Sequence, residues 1–287
     1  MNLETAARKY IFDDSRGIST NGSTLYIGTD VLMNRRVAIK VIDFRSSSNQ
    51  SDVLRARNEV AALSQIGDMS LRVPCVLDMH YDETNKKMYI VMQWVNGDTL
   101  RKKTDAQKDK PLAMKSSREF VQWMIHLADV LSFMEKRRFY HNDIKPENII
   151  IDKVNELHLI DFNLTISNNT MNEGTPGYIA PEFLSHIEIT KDKADMFSIG
   201  VMMYEFFAGK IPQMGYEYGI NVGFADESCS RAEWDVFIEP KQINPDIPDN
   251  VNKLIVRLMK RIPSNRFKDY TELKKEFIKI INTLPRR

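Results

Sequence analysis

Apolar residues in the first hundred positions come in short blocks, and this predicts strands. Leu25-Tyr26-Ile27 and Val37 to Ile42 flank a turn-like Met33-Asn34-Arg35-Arg36, and Met88 to Val95 is a third run rich in β-branched and aromatic residues. One helix is expected among them, from about Asp52 to Ile66, capped by Ser51 or Asp52, with Val60, Leu63 and Ile66 on its apolar face. Asn96-Gly97-Asp98 breaks the pattern, and helical periodicity takes over. Phe120, Trp123, Met124, Leu127, Leu131 and Met134 keep helical spacing between about Ser116 and Arg138, with Ser116 and Glu119 as a capping box. The segment from about Lys193 to Ala208 is apolar nearly all round, as a buried central helix should be, and Gly209 stops it. Gly209 to Asn250 reads mostly as loop with one short helix. Val251 to Arg261 and Tyr270 to Asn282 read as terminal helices.

Composition narrows the classes without choosing one. The 287 residues are 43% hydrophobic and 28% charged, ordinary for a globular chain, and a formal charge of +1 gives no global attraction to nucleic acid or anionic lipid. Cys75 and Cys229 are too few for a disulfide framework and read as free thiols. No apolar run approaches the ~18 residues of a membrane span, and Met1 to Asp14 lacks a signal-type stretch. The expectation is a soluble cytoplasmic protein with no membrane segment and no nucleic-acid partner; delivery into another cell stays open.

The chemistry concentrates in His141-Asn142-Asp143-Ile144-Lys145-Pro146-Glu147-Asn148, directly before the apolar run Ile149 to Ile151. Asp161 follows at the end of a second run, Leu157 to Ile160. Carboxylate and amide oxygens are hard ligands, so Asp143, Lys145, Asn148 and Asp161 suit a phosphate and its magnesium ion.

In order and spacing these pieces resemble a eukaryotic-type protein kinase catalytic domain, serine/threonine kinase-like and similar to bacterial-style members. The other matching pieces are Val37-Ala38-Ile39-Lys40, Glu59, Asp161-Phe162-Asn163, Gly174 to Glu182, Asp195 and Arg266. The resemblance implies an α+β bilobal fold over residues 1–287. Its small antiparallel β-rich lobe with one helix covers about 10–95, and its larger mainly helical lobe about 96–282. It also implies ATP and Mg2+ as cofactors, a protein substrate, and transfer of the γ-phosphoryl group to serine or threonine hydroxyls. Lys40 would hold the α- and β-phosphates and Glu59 would orient it; Asp143 would be the base, and Lys145 would neutralise the transferred group. Asn148 and Asp161 would be the magnesium ligands. Gly22, Ser23, Leu25, Ala38, Met92, Gln93, Val95, Asp98 and Ile150 would surround the nucleotide. His141, Asp195 and the Glu182–Arg266 pair would be scaffold, and Thr175 would lie beside Asp143 and Lys145.

Three departures from the family pattern qualify the reading. Ile18, Thr20 and Ser23 stand at the three glycine positions of the phosphate-covering loop, with Gly17 and Gly22 nearby; side chains there should impair nucleotide binding without abolishing it. Asn163 replaces the glycine after Asp-Phe. Asn142 stands where regulated members carry the arginine that receives a loop phosphate, which implies independence from phosphorylation at Thr165, Ser167 or Thr170. The alternatives are a pseudokinase acting as a nucleotide-binding or scaffolding module, and a small-molecule kinase of related fold. The segment 174–182 argues against the second, because it organises peptide acceptors.

Overall fold

A computed structural model describes residues 1–5, 8–20, 23–44, 50–67, 70–162, 165, 174–183, 191–212 and 237–285. The chain forms two compact units, one of residues 1–97 with 160–167, the other of 98–159 with 168–287.

The first unit is a seven-stranded antiparallel sheet with one helix. Its strands are β1 (Asn2–Glu4), β2 (Lys9–Phe12), β3 (Ile18–Thr20), β4 (Ser23–Asp30), β5 (Arg35–Asp43), β6 (Val76–Asp82) and β7 (Lys87–Gln93), ordered β1-β2-β4-β5-β7-β6 with β3 also on β4. β5 is buried from Val37 to Ile42 because it is covered on both faces. Val37, Ile39 and Val41 join Leu3, Tyr10, Phe12, Tyr89 and Val91, while Ile42 joins Phe44, Ala56, Met88 and Ile90. A strand buried on both sides has no reason to alternate, which explains its unbroken apolar run. Helix α1 (Gln50–Gly67) buries Ala56, Leu63 and Ile66. It starts before Ser51, so neither Ser51 nor Asp52 is its cap.

The strands β1 and β2 were not anticipated, being only three and four residues long. They curl the sheet until its far edge meets them: Thr5 Oγ1 and Tyr10 Oη donate to Asp78 Oδ2 on β6 at 2.6 and 3.1 Å. A 3-10 turn at Asp14–Arg16 separates β2 from β3, so the two pair with successive parts of β4, Gly28–Asp30 and Ser23–Leu25. Gly17 at this break lies against β4, where a Cβ would stand 2.4 Å from Thr24 Cγ2 and 2.6 Å from the Tyr26 ring.

The second unit holds a small sheet and the helices. Strands β8 (Gly97–Thr99), β9 (Ile149–Asp152) and β10 (Leu157–Leu159) are ordered β10-β9-β8, with Ile149 opposite Leu159. The helices among its described residues are α2 (Leu100–Asp105), α3 (Ser117–Glu135), α4 (Lys191–Ala208), α5 (Pro240–Ile243), α6 (Asp249–Leu258) and α7 (Tyr270–Thr283). α4 is the core: Met196, Phe197, Ile199, Val201, Met202, Met203, Phe206 and Phe207 are all buried, and Phe206 stacks on Phe120 of α3 at 4.0 Å. α3 packs along α7, and α4 along α6.

The capping box expected at Ser116 is not formed. Ser116 is the N-cap residue but its side chain makes no cap bond. Its backbone N–H donates instead to Gln107 Oε1 at 2.7 Å, a tertiary acceptor that local sequence does not reveal. The structure thus has the α+β character read from the sequence. No helix among the described residues is long and apolar enough to cross a membrane.

Candidate active site

In the first unit, Lys40 reaches two carboxylates. Its Nζ lies 2.7 Å from Glu59 Oε1 on α1 and 3.1 Å from Asp161 Oδ1. Burial works against the Lys40 charge, but Glu59 and then Asp161 outweigh it and raise its pKa, so the ammonium stays protonated. Burial raises the Glu59 carboxyl, and the Lys40 charge pulls it back. Cross-strand register puts the nucleotide-side candidates on the Lys40 face: Leu25 is opposite Lys40, and Met92 is opposite Ala38. Ala38 and Val95 are buried, Leu25 and Met92 half-buried, and Gln93 is exposed at the end of β7.

Ile18 is directly opposite Leu25, and Thr20 opposite Ser23, with only Asn21 and Gly22 between them. The segment expected as a loop is therefore a hairpin whose arms are strand. Ser23 is 9% exposed, so its side chain is packed away from solvent. Gly22, Asn163, Ser167 and Thr170 lie outside the described residues, and Thr165 is buried.

In the second unit, Asp143 is surrounded by donors. Thr175 Oγ1 donates to Asp143 Oδ1 at 2.7 Å, while Asn148 Nδ2 donates to Oδ2 at 3.0 Å and to the Asp143 carbonyl at 2.9 Å. Lys145 Nζ lies 2.9 Å from Asp143 Oδ2 and 2.6 Å from Thr175 Oγ1. The acid, the cation and the hydroxyl expected at an acceptor site are therefore in mutual contact. The segment hangs from α4, whose Asp195 takes the His141 and Asn142 backbone N–H groups on its two oxygens at 2.9 and 2.8 Å. These bonds explain how an acid only 1% exposed is tolerated. His141 is fully buried. Ile150 is half-buried on β9. Asp98 is exposed and pairs with Lys102 at 2.7 Å, which lowers its pKa. Glu182 and Arg266 form a buried bidentate pair at 2.5 and 2.7 Å.

Each unit carries one oxygen donor of the kind that a hard divalent cation takes. Asp161 offers a carboxylate that is 26% exposed, and Asn148, whose NH2 faces Asp143, has its carbonyl oxygen left as acceptor. Sequence reasoning missed a second polar cluster: Arg101, Glu147, Tyr178 and Glu205, drawn together from positions up to 104 residues apart.

Comparison with known proteins identifies the family. The profile of the protein kinase domain matches residues 19–278. A probable serine/threonine-protein kinase of Clostridium acetobutylicum is 26% identical over 283 residues, 96% of this chain and 40% of the relative. The serine/threonine-protein kinase PrkC of Bacillus subtilis is 27% identical over 257 residues, 85% of this chain and 36% of its own. A CBL-interacting serine/threonine-protein kinase of Arabidopsis thaliana is 26% identical over 252 residues, 85% and 48% respectively. The chain thus spans two fifths or less of the two bacterial relatives.

Proposed function

Since the chain belongs to the protein kinase domain family, whose members in general use ATP and magnesium, we propose that it transfers the γ-phosphoryl group of ATP to serine or threonine hydroxyls of a protein substrate. The carrying observation is that no polar group of the reaction is missing. Lys40 holds both Glu59 and Asp161, and Asp143 holds Lys145, Asn148 and Thr175.

In this reading Lys40 binds the α- and β-phosphates. Leu25, Ala38, Met92, Gln93, Val95 and Ile150 line the base, with Gly22, Ser23 and Asp98 as further nucleotide contacts. Asn148 and Asp161 hold magnesium, which neutralises phosphate charge when bound. Asp143 orients the acceptor hydroxyl and takes its proton as the hydroxyl oxygen bonds to phosphorus and ADP leaves. Lys145, beside Thr175, neutralises the transferred group. The site works without loop phosphorylation, because Asn142 cannot bind a phosphate as an arginine would. The protein acts in the cytoplasm.

The test is incubation of purified protein with labelled ATP, magnesium and a general protein acceptor, beside an Asp143→Ala control. Label in acceptor serine or threonine with the native protein, and none with the control, is expected. A folded native protein that binds ATP and magnesium yet labels nothing would favour the pseudokinase reading. Mutating Thr165, Ser167 and Thr170 to alanine should leave the rate unchanged; a large loss would contradict the regulatory part.

A further inference from the structure

Arg101 lies on α2, in no motif of the reaction, yet its guanidinium uses all three nitrogens. Nε donates to Glu147 Oε1 at 2.7 Å, Nη1 to Glu205 Oε1 at 2.6 Å, and Nη2 to Tyr178 Oη at 2.6 Å. Tyr178 in turn donates to Glu205 Oε2 at 2.5 Å. Burial, then the Glu205 charge and hydrogen bond, push the Tyr178 phenol far above its ordinary pKa, so it stays a donor. The Arg101 side chain is 23% exposed, Glu205 17% and Glu147 47%.

Two of these partners belong to the segments that build the acceptor site. Glu147 follows Lys145 by two residues, in the 3-10 turn Pro146–Asn148. Tyr178 follows Thr175 by three and closes a turn onto it, its N–H donating to the Thr175 carbonyl at 3.0 Å. Between them Gly177 has φ +88°, and Gly174 before them has φ +135°. Backbone flanked by two such glycines has little intrinsic preference and must be fixed from outside. Ser198 Oγ holds the Tyr178 carbonyl at 2.8 Å, which secures its backbone to α4. The Arg101 fork ties that segment to the one carrying Lys145 a second time, away from the bonds Thr175 makes to Asp143 and Lys145, and those bonds depend on the register it sets.

We propose that Arg101 is a positioning residue for the acceptor. Its planar fork clasps Glu147 and Tyr178 against Glu205 and so sets Thr175 against Asp143 and Lys145. Lysine, a point charge with a mobile stem, cannot hold three partners in one plane. The proposal rests on the kinase reading above.

The experiment compares native protein, Arg101→Ala and Arg101→Lys, varying acceptor and ATP separately, with urea unfolding of each. For Arg101→Ala the expected result is a fall of about tenfold or more in kcat/KM for the acceptor, with KM for ATP within about twofold. Arg101→Lys should recover little of it. Millimolar guanidinium, which fits between the stranded carboxylates, should restore part of the Arg101→Ala rate and none of the native rate. Unchanged acceptor kinetics in Arg101→Ala would overturn the proposal. So would a loss that falls equally on ATP and acceptor and follows the loss of stability, which marks a merely structural residue. If the native protein labels no acceptor, the kinase reading itself fails and the clasp falls with it; native transfer with an indifferent Arg101→Ala refutes the clasp alone.

Discussion

Replacing Lys40 by methionine should destabilise the protein as well as disarm it. The substitution keeps an unbranched side chain and removes the charge. In the native protein the Lys40 and Glu59 side chains are 6% and 2% exposed, and Asp161 is 26% exposed. Asp161 can turn to water when the ammonium is gone; Glu59 cannot. Removing one partner of a buried pair strands the other, at about 3–5 kcal/mol, whereas replacing both by apolar groups of similar volume is close to neutral. Lys40→Met should therefore lose about 3–5 kcal/mol, and Lys40→Met/Glu59→Met should return to within about 1 kcal/mol of native. The measurement is urea unfolding of the native protein, the two single variants and the double variant, without nucleotide or magnesium, giving the coupling from the cycle. A coupling of at least about 2 kcal/mol is expected. A Lys40→Met protein as stable as native, or a double variant as unstable as the sum of the singles, would refute the argument. Neither Lys40 variant should transfer phosphate, so recovered stability without recovered activity would separate the residue's two roles.

Two further outcomes follow from the structure. Tyr10 is fully buried, and burial, then its bond to Asp78 and that residue's charge, push its phenol up to about 12. Its contribution should be complete below pH 10, where the unfolded phenol is still protonated, and should disappear as pH rises through about 12, a change of roughly 2–3 kcal/mol. Unfolding free energies of native protein and Tyr10→Phe should converge between pH 10 and 11.5, and a constant difference would contradict the assignment. Thr175→Val keeps the side-chain shape and removes the hydroxyl that bridges Lys145 and Asp143. Losing these two charge-assisted hydrogen bonds should cut kcat for the acceptor by about 10–100-fold, and an unchanged kcat would exclude the hydroxyl from acceptor positioning.

What the sequence disclosed and what it hid divide by range. Lys40 stood out because a cation inside Val37 to Ile42 breaks an apolar run, and α4 because its apolar residues leave no polar face. Both signals lie within one element. The strands holding Leu3, Tyr10 and Phe12 were missed because three or four residues give too short a window for alternation, and their tie to β6 runs through Asp78 about seventy positions on. Ser116 has the right identity for a cap, but Gln107 competes for its backbone. The Arg101 clasp left no sequence signal at all. Arginine beside Lys102 and Lys103 reads as an ordinary solvated face, and its three partners come together only when α2, α4 and the segments around Glu147 and Tyr178 are folded.

Backbone strain sharpens the distinction between scaffold and chemistry. Asn34, Lys86 and Asn155 are left-handed in the tight turns between strands, and Arg138 just after α3, where such conformations are routine. Asn142 and Asp161 are also left-handed, with φ +63° and +64°, but neither sits in a hairpin turn or at a helix end. One immediately precedes the candidate base, and the other is a candidate magnesium ligand. Such a conformation costs on the order of 1–2 kcal/mol for a residue with a Cβ and persists only where the surroundings impose it. At Asn142 the imposing group is Asp195, whose two oxygens take consecutive N–H groups and fix the peptide plane ahead of Asp143. At Asp161 the carboxylate pairs with Lys40, 3.1 Å away. Asparagine tolerates this backbone better than most side chains, so the residue that removes a phosphate receptor at position 142 also lowers the strain there. The Asp195 bonds go to backbone N–H groups and would form with any side chain at 142, so what the asparagine itself contributes is lower strain and the proposed independence from loop phosphorylation.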